Sequence, residues 1–339
     1  MTRDTFPREL AGDIPGRATT RRQFLTVGTG VFVALSLPLA MRKRTSFVRR
    51  TMPLMGTIAE LQVAHHDERV AEAAIDAALA ELSWVERTMT RFDARSDIGR
   101  ANMNASRDGV LVTPESAHVV SAALAWSIAS NGRFDPAIGA VSELWDVLNR
   151  HEPPPDAPVH RLAARGLWRK VDVATLGGRP ALRFGDRDIH LDLGAIAKGY
   201  GIDRATNVLR EKGIEHAIVT VGGDLYALGE SPDGGPWTIG IRNPHDLNGL
   251  AATLDVSNRA VATSGDYERF FRWRGKRYHH LMDPATAAPR VTPIRSVTVL
   301  ADHAIDADGA STTVFGLQHD DAERIVRAKL PGADVIPLT

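Results

Sequence analysis

The stretch Ile189-His190-Leu191-Asp192-Leu193-Gly194-Ala195-Ile196-Ala197-Lys198-Gly199-Tyr200 runs from an apolar segment through a carboxylate and a glycine turn into a helical pattern. The reading is a short strand over Ile189–Leu193, a helix from Ile196 to Lys212 stopped by Gly213, and a second strand, His216–Val221, ending in Gly222-Gly223-Asp224. Outward from this core the elements mix without a strict βαβ rhythm. Strands are expected at Thr57–Val63, Trp237–Ile241, Ala260–Thr263 and Ser296–Leu300. Helices are expected over Ala71–Phe92, where Ile75, Leu79, Leu82, Val85 and Met89 form one stripe, and over Glu115–Ser130, Asp306–Leu317 and Asp320–Leu330. The proline-rich His151–Pro158 reads as a loop or the edge of an insertion. The fold class expected is α+β, with a mixed or antiparallel sheet.

Composition narrows the function. The 339 residues carry 41 basic and 41 acidic side chains, a formal net charge of zero, so no excess positive field exists to hold a phosphate backbone and nucleic acid is excluded as a partner. With no cysteine, disulfides, thiolate ligands, iron–sulfur clusters and cysteine nucleophiles are all absent. What remains is imidazole, carboxylate, hydroxyl and carbonyl chemistry.

Residues 1–50 read as an address, and 51–339 as the working domain. Arg21-Arg22-Gln23-Phe24-Leu25 leads into an uncharged apolar run to Met41, resembling a twin-arginine export signal. Leu37-Pro38-Leu39-Ala40 offers a cleavage point, whereas Arg42-Lys43-Arg44 just beyond would hold an uncleaved segment at the membrane face. The expected location is the periplasm or the outer face of the cytoplasmic membrane.

Four constellations bear chemistry. Asp192 and Lys198 flank a strand–helix junction whose outward amides suit phosphate, though a solvated lysine at a plain junction reads equally from composition. No Walker loop is present, and the Gly28-Thr29-Gly30 pair lies in the export segment. Asp308, if it opens a helix, has Thr312 one turn on along the same face, a hard-cation pair suited to magnesium. The alternative is a capping Asp308 and a threonine bonded back to its own helix, or Asp306 as the cap. In Tyr278-His279-His280-Leu281 adjacent histidines on an extended strand face opposite ways, so one alone enters a cleft as a general base, unless it merely leads into the Asp283-Pro284 turn. Gly132-Arg133-Phe134-Asp135-Pro136 suits a planar ring and its polar edge, or is simply a turn.

In this order these segments, with Met55-Gly56-Thr57, Asp203, Val221-Gly222-Gly223-Asp224 and Thr263-Ser264-Gly265-Asp266-Tyr267, resemble the ApbE-type flavin transferases, the FAD:protein FMN transferases. The likeness spans Thr51 to the C-terminus. It implies a tunnelling-fold-like α+β core with an inserted helix and loop region. It also implies FAD as substrate, Mg2+ as cofactor, and transfer of FMN to a threonine of a target protein with release of AMP. By that resemblance Met55, Phe92, Arg133, Phe134, Asp135, Asp192 and Lys198 line the FAD site. Magnesium falls to the Ala195 carbonyl, Asp308 and Thr312, and His280 accepts the threonine proton. The implied acceptor is a membrane-associated electron-transfer protein. A FAD pyrophosphatase giving FMN and AMP, or a periplasmic FAD-binding carrier, are the rival readings. Two positions depart from the family pattern: Ala287 where glycine is usual, so that its turn avoids positive φ or accepts strain, and Phe92 where tyrosine is common.

Overall fold

The computed structural model describes residues 46–339 and the backbone of two short strands within the apolar N-terminal run, β1 (Phe24–Val27) and β2 (Val31–Ala34). The rest of the export-signal reading, including Arg21, Arg22 and the cleavage point, lies outside the described residues. Among the described residues no helix is long and apolar enough to cross a membrane.

After β1 and β2 the chain runs β3 (Ser46–Leu54), β4 (Thr57–His65), α1 (Glu68–Met89), α2 (Asp97–Asn104), β5 (Val110–Leu111), α3 (Pro114–Ala129), α4 (Gly139–Trp145) and α5 (Asp156–Leu162). Then come β6 (Val171–Leu176), β7 (Arg179–Phe184), α6 (Ala197–Glu211), β8 (His216–Val221), β9 (Asp224–Leu228), β10 (Trp237–Arg242), β11 (Leu250–Val256) and β12 (Arg259–Gly265). The C-terminal part holds β13 (Phe270–Trp273), β14 (Lys276–His279), β15 (Met282–Asp283), β16 (Ala288–Pro289), β17 (Ser296–Ala301), α7 (Ala304–Val314), α8 (His319–Lys329) and β18 (Asp334–Leu338).

The centre is a seven-stranded sheet in the order β18-β17-β12-β9-β8-β4-β3, and every neighbouring pair in it is antiparallel. The α+β expectation holds. Helices α1, α6 and α7 cover one face. The other face packs Ile218, Leu225 and Val261 against Trp237 and Ile239 of the β10–β11 hairpin. Burial on both faces explains why β8 is apolar along nearly its whole length and carries no alternating pattern. In α1 the stripe Ile75, Leu79, Leu82, Val85 and Met89 is buried, and the Asp67 carboxylate caps the start by accepting from the Arg69 N–H at 2.9 Å. Thr113 caps α3, Pro114 takes its first position, and Asn131 and Gly132 at φ 50° and 83° end it. A three-stranded sheet, β5-β7-β6, with α2 and α3 forms the inserted region.

Three expectations are corrected. Ile189–Leu193 is not a strand: only His190 makes a bridge, to Ile138, because the Leu191 N–H and carbonyl are both taken by the Asn102 side chain at 2.7 and 3.0 Å. Neither Asp308 nor Asp306 opens α7; that helix begins four residues before Asp308, at Ala304, because Asp203 of α6 takes the first N–H groups from outside. Within the proline-rich stretch, Pro155 and Asp156 start the short helix α5.

Candidate functional site

The N-terminus of α6 meets the first turn of α7 so closely that a Cβ on Gly199 would lie 2.1 Å from the Ala304 carbonyl oxygen; only glycine fits. That approach brings Lys198 Nζ to 2.7 Å from Asp308 Oδ1 and 2.5 Å from Asp224 Oδ2. Asp308 Oδ2 accepts the Gly199 N–H at 3.0 Å, and Asp224 Oδ1 accepts the Thr263 N–H at 3.0 Å. In a regular helix the Gly199 N–H would instead serve the carbonyl four residues back, that of Ala195. With Gly199 diverted to Asp308, no N–H among the described residues donates to the Ala195 carbonyl. Thr312 follows Asp308 by one turn on the same face, its Oγ1 3.3 Å from Ser264 Oγ, which also lies 3.0 Å from Ser311 Oγ.

The electrostatics follow from burial. Asp224 and Asp308 are 3% and 2% exposed. Burial, opposed by Lys198 and reinforced by Asp308, pushes the Asp224 carboxyl up to about 6. Burial alone would lower Lys198, but the two carboxylates outweigh it and hold the ammonium above its ordinary value. Among the described residues no three His, Asp or Glu side chains converge on one point. The donors here are two carboxylates, three hydroxyls and a free carbonyl, an all-oxygen set that suits a hard cation sharing a phosphate and gives zinc nothing to prefer.

The histidines separate as expected, and their hydrogen bonds decide which is free. His279 is buried with both ring nitrogens engaged: Nε2–H donates to the Arg290 carbonyl at 2.9 Å and Nδ1 accepts the Leu281 N–H at 3.2 Å. At His280 the Nδ1–H donates to the Arg269 carbonyl at 3.3 Å, which leaves Nε2 bearing a lone pair. Burial, then the nearby Arg269 charge, holds His280 down to about 3, so it is neutral at ordinary pH.

A second group lies at the Gly132 loop. Asp135 accepts from the Ala137 N–H at 2.8 Å, and burial pushes its carboxyl up to about 6. The buried Arg133 Nε and Trp168 Nε1 have no hydrogen-bond partner, two donors facing no acceptor. Phe134 is buried in the main core, its N–H on Ser130 Oγ, so the loop presents Arg133 and Asp135 rather than a free ring. Phe92 is instead the open aromatic, 82% exposed, with the Arg91 guanidinium 4.2 Å from its centroid. Arg91 also pairs with Asp192 at 3.2 Å, which brings Phe92 to the turn that leads into α6. Met55 stands at φ 54° in the β3–β4 turn, its N–H on Glu86. The adjoining Gly56 carbonyl accepts from Arg269, the residue whose own carbonyl holds His280.

Sequence reasoning missed Asp224, Ser264 and Arg290 as members of the site. Arg290 NH1 donates to the Thr312 and Phe315 carbonyls at 2.8 and 2.9 Å, and NH2 to the Arg133 carbonyl at 2.7 Å, tying the end of α7 to the Gly132 loop. The signal for Asp224 was present, a Gly-Gly-Asp directly after a strand. None existed for Arg290. Ala287 takes the strained option, at φ 51°, where its carbonyl accepts from Trp145 Nε1 at 2.7 Å.

A family model described as the ApbE family matches residues 55–336. A FAD:protein FMN transferase of Klebsiella pneumoniae is 34% identical over 265 residues, 78% of this chain and 80% of that protein. One from Treponema pallidum is 32% identical over 87% of this chain and 85% of its own length. The crystal structure of the ApbE protein of Thermotoga maritima superposes with a TM-score of 0.77 at 27% identity, covering 86% of this chain and 94% of that one.

Proposed function

The chain belongs to the ApbE family, and from that premise we propose that it transfers the FMN half of FAD to a threonine hydroxyl of an acceptor protein, releasing AMP. The observation that carries the proposal is Lys198 held between Asp224 and Asp308 beside an undonated Ala195 carbonyl. Ala195, Asp308 and Thr312 would hold Mg2+, which when bound polarises phosphoryl oxygens and neutralises their charge. Lys198 binds the pyrophosphate on its exposed side, supplying positive charge where the leaving phosphate becomes negative. The threonine oxygen forms a bond to the FMN phosphorus as the bond to AMP breaks, the bonding pair leaving with AMP. Its proton goes to Nε2 of His280, the one ring nitrogen of the pair without a protein partner. Phe92 and Met55 offer apolar surface to the rings of FAD, and the unpaired donors of Arg133 and Trp168 beside Asp135 suit a ring's polar edge. Asp192 and Arg91 order the junction between the two. The acceptor of this reading is a membrane-associated electron-transfer protein, met in the periplasm or at the outer membrane face after twin-arginine export.

The test is intact-protein mass spectrometry of an acceptor domain incubated with the protein, FAD and Mg2+, with AMP and FMN quantified. One FMN moiety added, with AMP released, is expected. Free FMN and AMP beside an unmodified acceptor would make the protein a FAD pyrophosphatase, and intact FAD would make it a carrier.

A further inference from the structure

The hairpin β13–β14 forms a two-stranded sheet of its own, and its tip reads Arg272-Trp273-Arg274-Gly275-Lys276. Arg272, Arg274 and Lys276 are exposed, and among the described residues none has a carboxylate within ion-pair distance. They lie instead over rings: Arg274 is 4.1 Å from the Trp273 centroid, Arg272 5.7 Å from Phe270 and Lys276 5.7 Å from Tyr278. In a chain of zero net charge, three cations within five consecutive residues are a local surplus of positive charge. The hairpin base is firmly seated. Tyr278 stacks on Phe271 and Trp145 at 5.2 and 5.6 Å, and Arg277 is held by Asp266 at 2.8 Å.

Beside the tip opens a surface concavity of about 440 Å³ lined by Arg150, His151, Glu152 and Trp273. Arg150 adds a fourth cation against the single carboxylate of Glu152. Strand β14 then leads from Lys276 straight to His280, a run of about 13 Å at roughly 3.3 Å per residue.

We propose that this hairpin and its groove dock an acidic segment of the acceptor protein, whose carboxylates lie about four residues along an extended chain from the hydroxyl presented at His280. This rests on the transferase reading. The occupant is a protein segment rather than a lipid surface because Trp273, between Arg272 and Arg274, lines with Arg150 a surface concavity that the side chains of a segment can enter and a flat headgroup layer does not. It is not FAD, because the charge stands at the far end of β14 from Lys198 and His280. Rings under each cation hold the guanidinium and ammonium groups extended without neutralising them, which favours long-range attraction of an anionic partner.

The experiment is an anisotropy titration of the full chain with two labelled threonine peptides, one with Asp and Glu four and five residues from the threonine, the other with Asn and Gln there. The acidic peptide should bind about tenfold tighter at low salt, with the preference fading as salt rises. In R272E/R274E/K276E, which changes exposed side chains only, the preference should vanish while FAD binding, followed by flavin fluorescence, is unchanged. Equal affinity for both peptides, or a preference that survives in the variant, overturns the proposal. So does selective loss of binding to phosphatidylglycerol vesicles in the variant with peptide binding intact, which would assign the cations to a membrane. FAD binding and AMP release by the unaltered protein are measured in parallel, so failure of the transferase reading shows there and failure of the docking surface shows in the peptides.

Discussion

Lys198 and Asp308 stand 110 residues apart in the chain and 2.7 Å apart in space. Asp224 completes the cluster from the other side at 2.5 Å. Removing the ammonium leaves two buried carboxylates facing each other, and breaking such a pair from one side costs about 3–5 kcal/mol. Lys198→Met should lose stability of that order in urea at neutral pH. With Lys198 gone, nothing opposes the burial and the Asp308 charge that already raise the Asp224 carboxyl, so it moves further up and the variant should regain much of the loss as pH falls and that carboxyl takes up a proton. Equal loss at pH 5 and pH 8 would contradict the charge assignment.

Asp203 accepts the N–H groups of Ala304 and Ile305 at 2.7 and 2.9 Å, a carboxylate at the positive end of α7. Burial outweighs those bonds and pushes its carboxyl up to about 6. A carboxyl raised in the native state contributes stability that is full below its unfolded value and lost as pH rises through the native one. The unfolding free energy should therefore fall between the ordinary value of 3.8 and about 6. Asp203→Asn has no such proton to lose and should flatten that fall by of order 1–3 kcal/mol. An unchanged pH profile of stability would contradict this.

How far the sequence alone reached can be judged on α6 and α7. The helix over Ala197–Glu211 was legible because its apolar spacing and Gly213 are local signals. The start of α7 was not, because its cap is Asp203, a side chain about a hundred positions earlier that only the folded sheet brings near. The same holds for Asp224: Gly222-Gly223-Asp224 marks a turn, but nothing local says that its carboxylate reaches Lys198. Ile189–Leu193 looked like a strand because its residues are apolar and β-prone. The Asn102 side chain took the backbone groups that a ladder would have used. Asp308 and Thr312 share one face of α7 because one helical turn joins them wherever the helix begins.

His280 stays neutral well below the ordinary histidine value of 6.5, because burial and Arg269 hold it at about 3. The His280 ring, followed by NMR, should show no ionisation near 6.5, whereas the rate itself also senses the Asp224 and Asp135 carboxyls at about 6. His280→Gln should lower kcat by about 10²–10⁴ with FAD affinity kept. His279→Gln should act through stability, since both of its ring nitrogens hold structure. A His280 ring that titrates near 6.5, or full activity in His280→Gln, would contradict the assignment.

Phe92 is 82% exposed and packs on no core residue, so Phe92→Ala should leave stability within about 0.5 kcal/mol of the parent. Stacking of a planar base on an aromatic ring is worth about 1–3 kcal/mol, so the same change should weaken FAD binding roughly 5- to 150-fold. Phe92→Tyr should keep it. FAD affinity unmoved by Phe92→Ala would remove this residue from the site.

The most direct test of the central claim is a Mg2+ titration of acceptor flavinylation with the parent protein and with Asp308→Asn, read by acceptor mass and AMP release. Flavinylation should depend saturably on Mg2+, be abolished by EDTA, and fall by at least about 10³ in rate for Asp308→Asn in a chain that still folds. Flavinylation that persists in EDTA, or an Asp308→Asn protein that transfers at the parent rate, would contradict that claim.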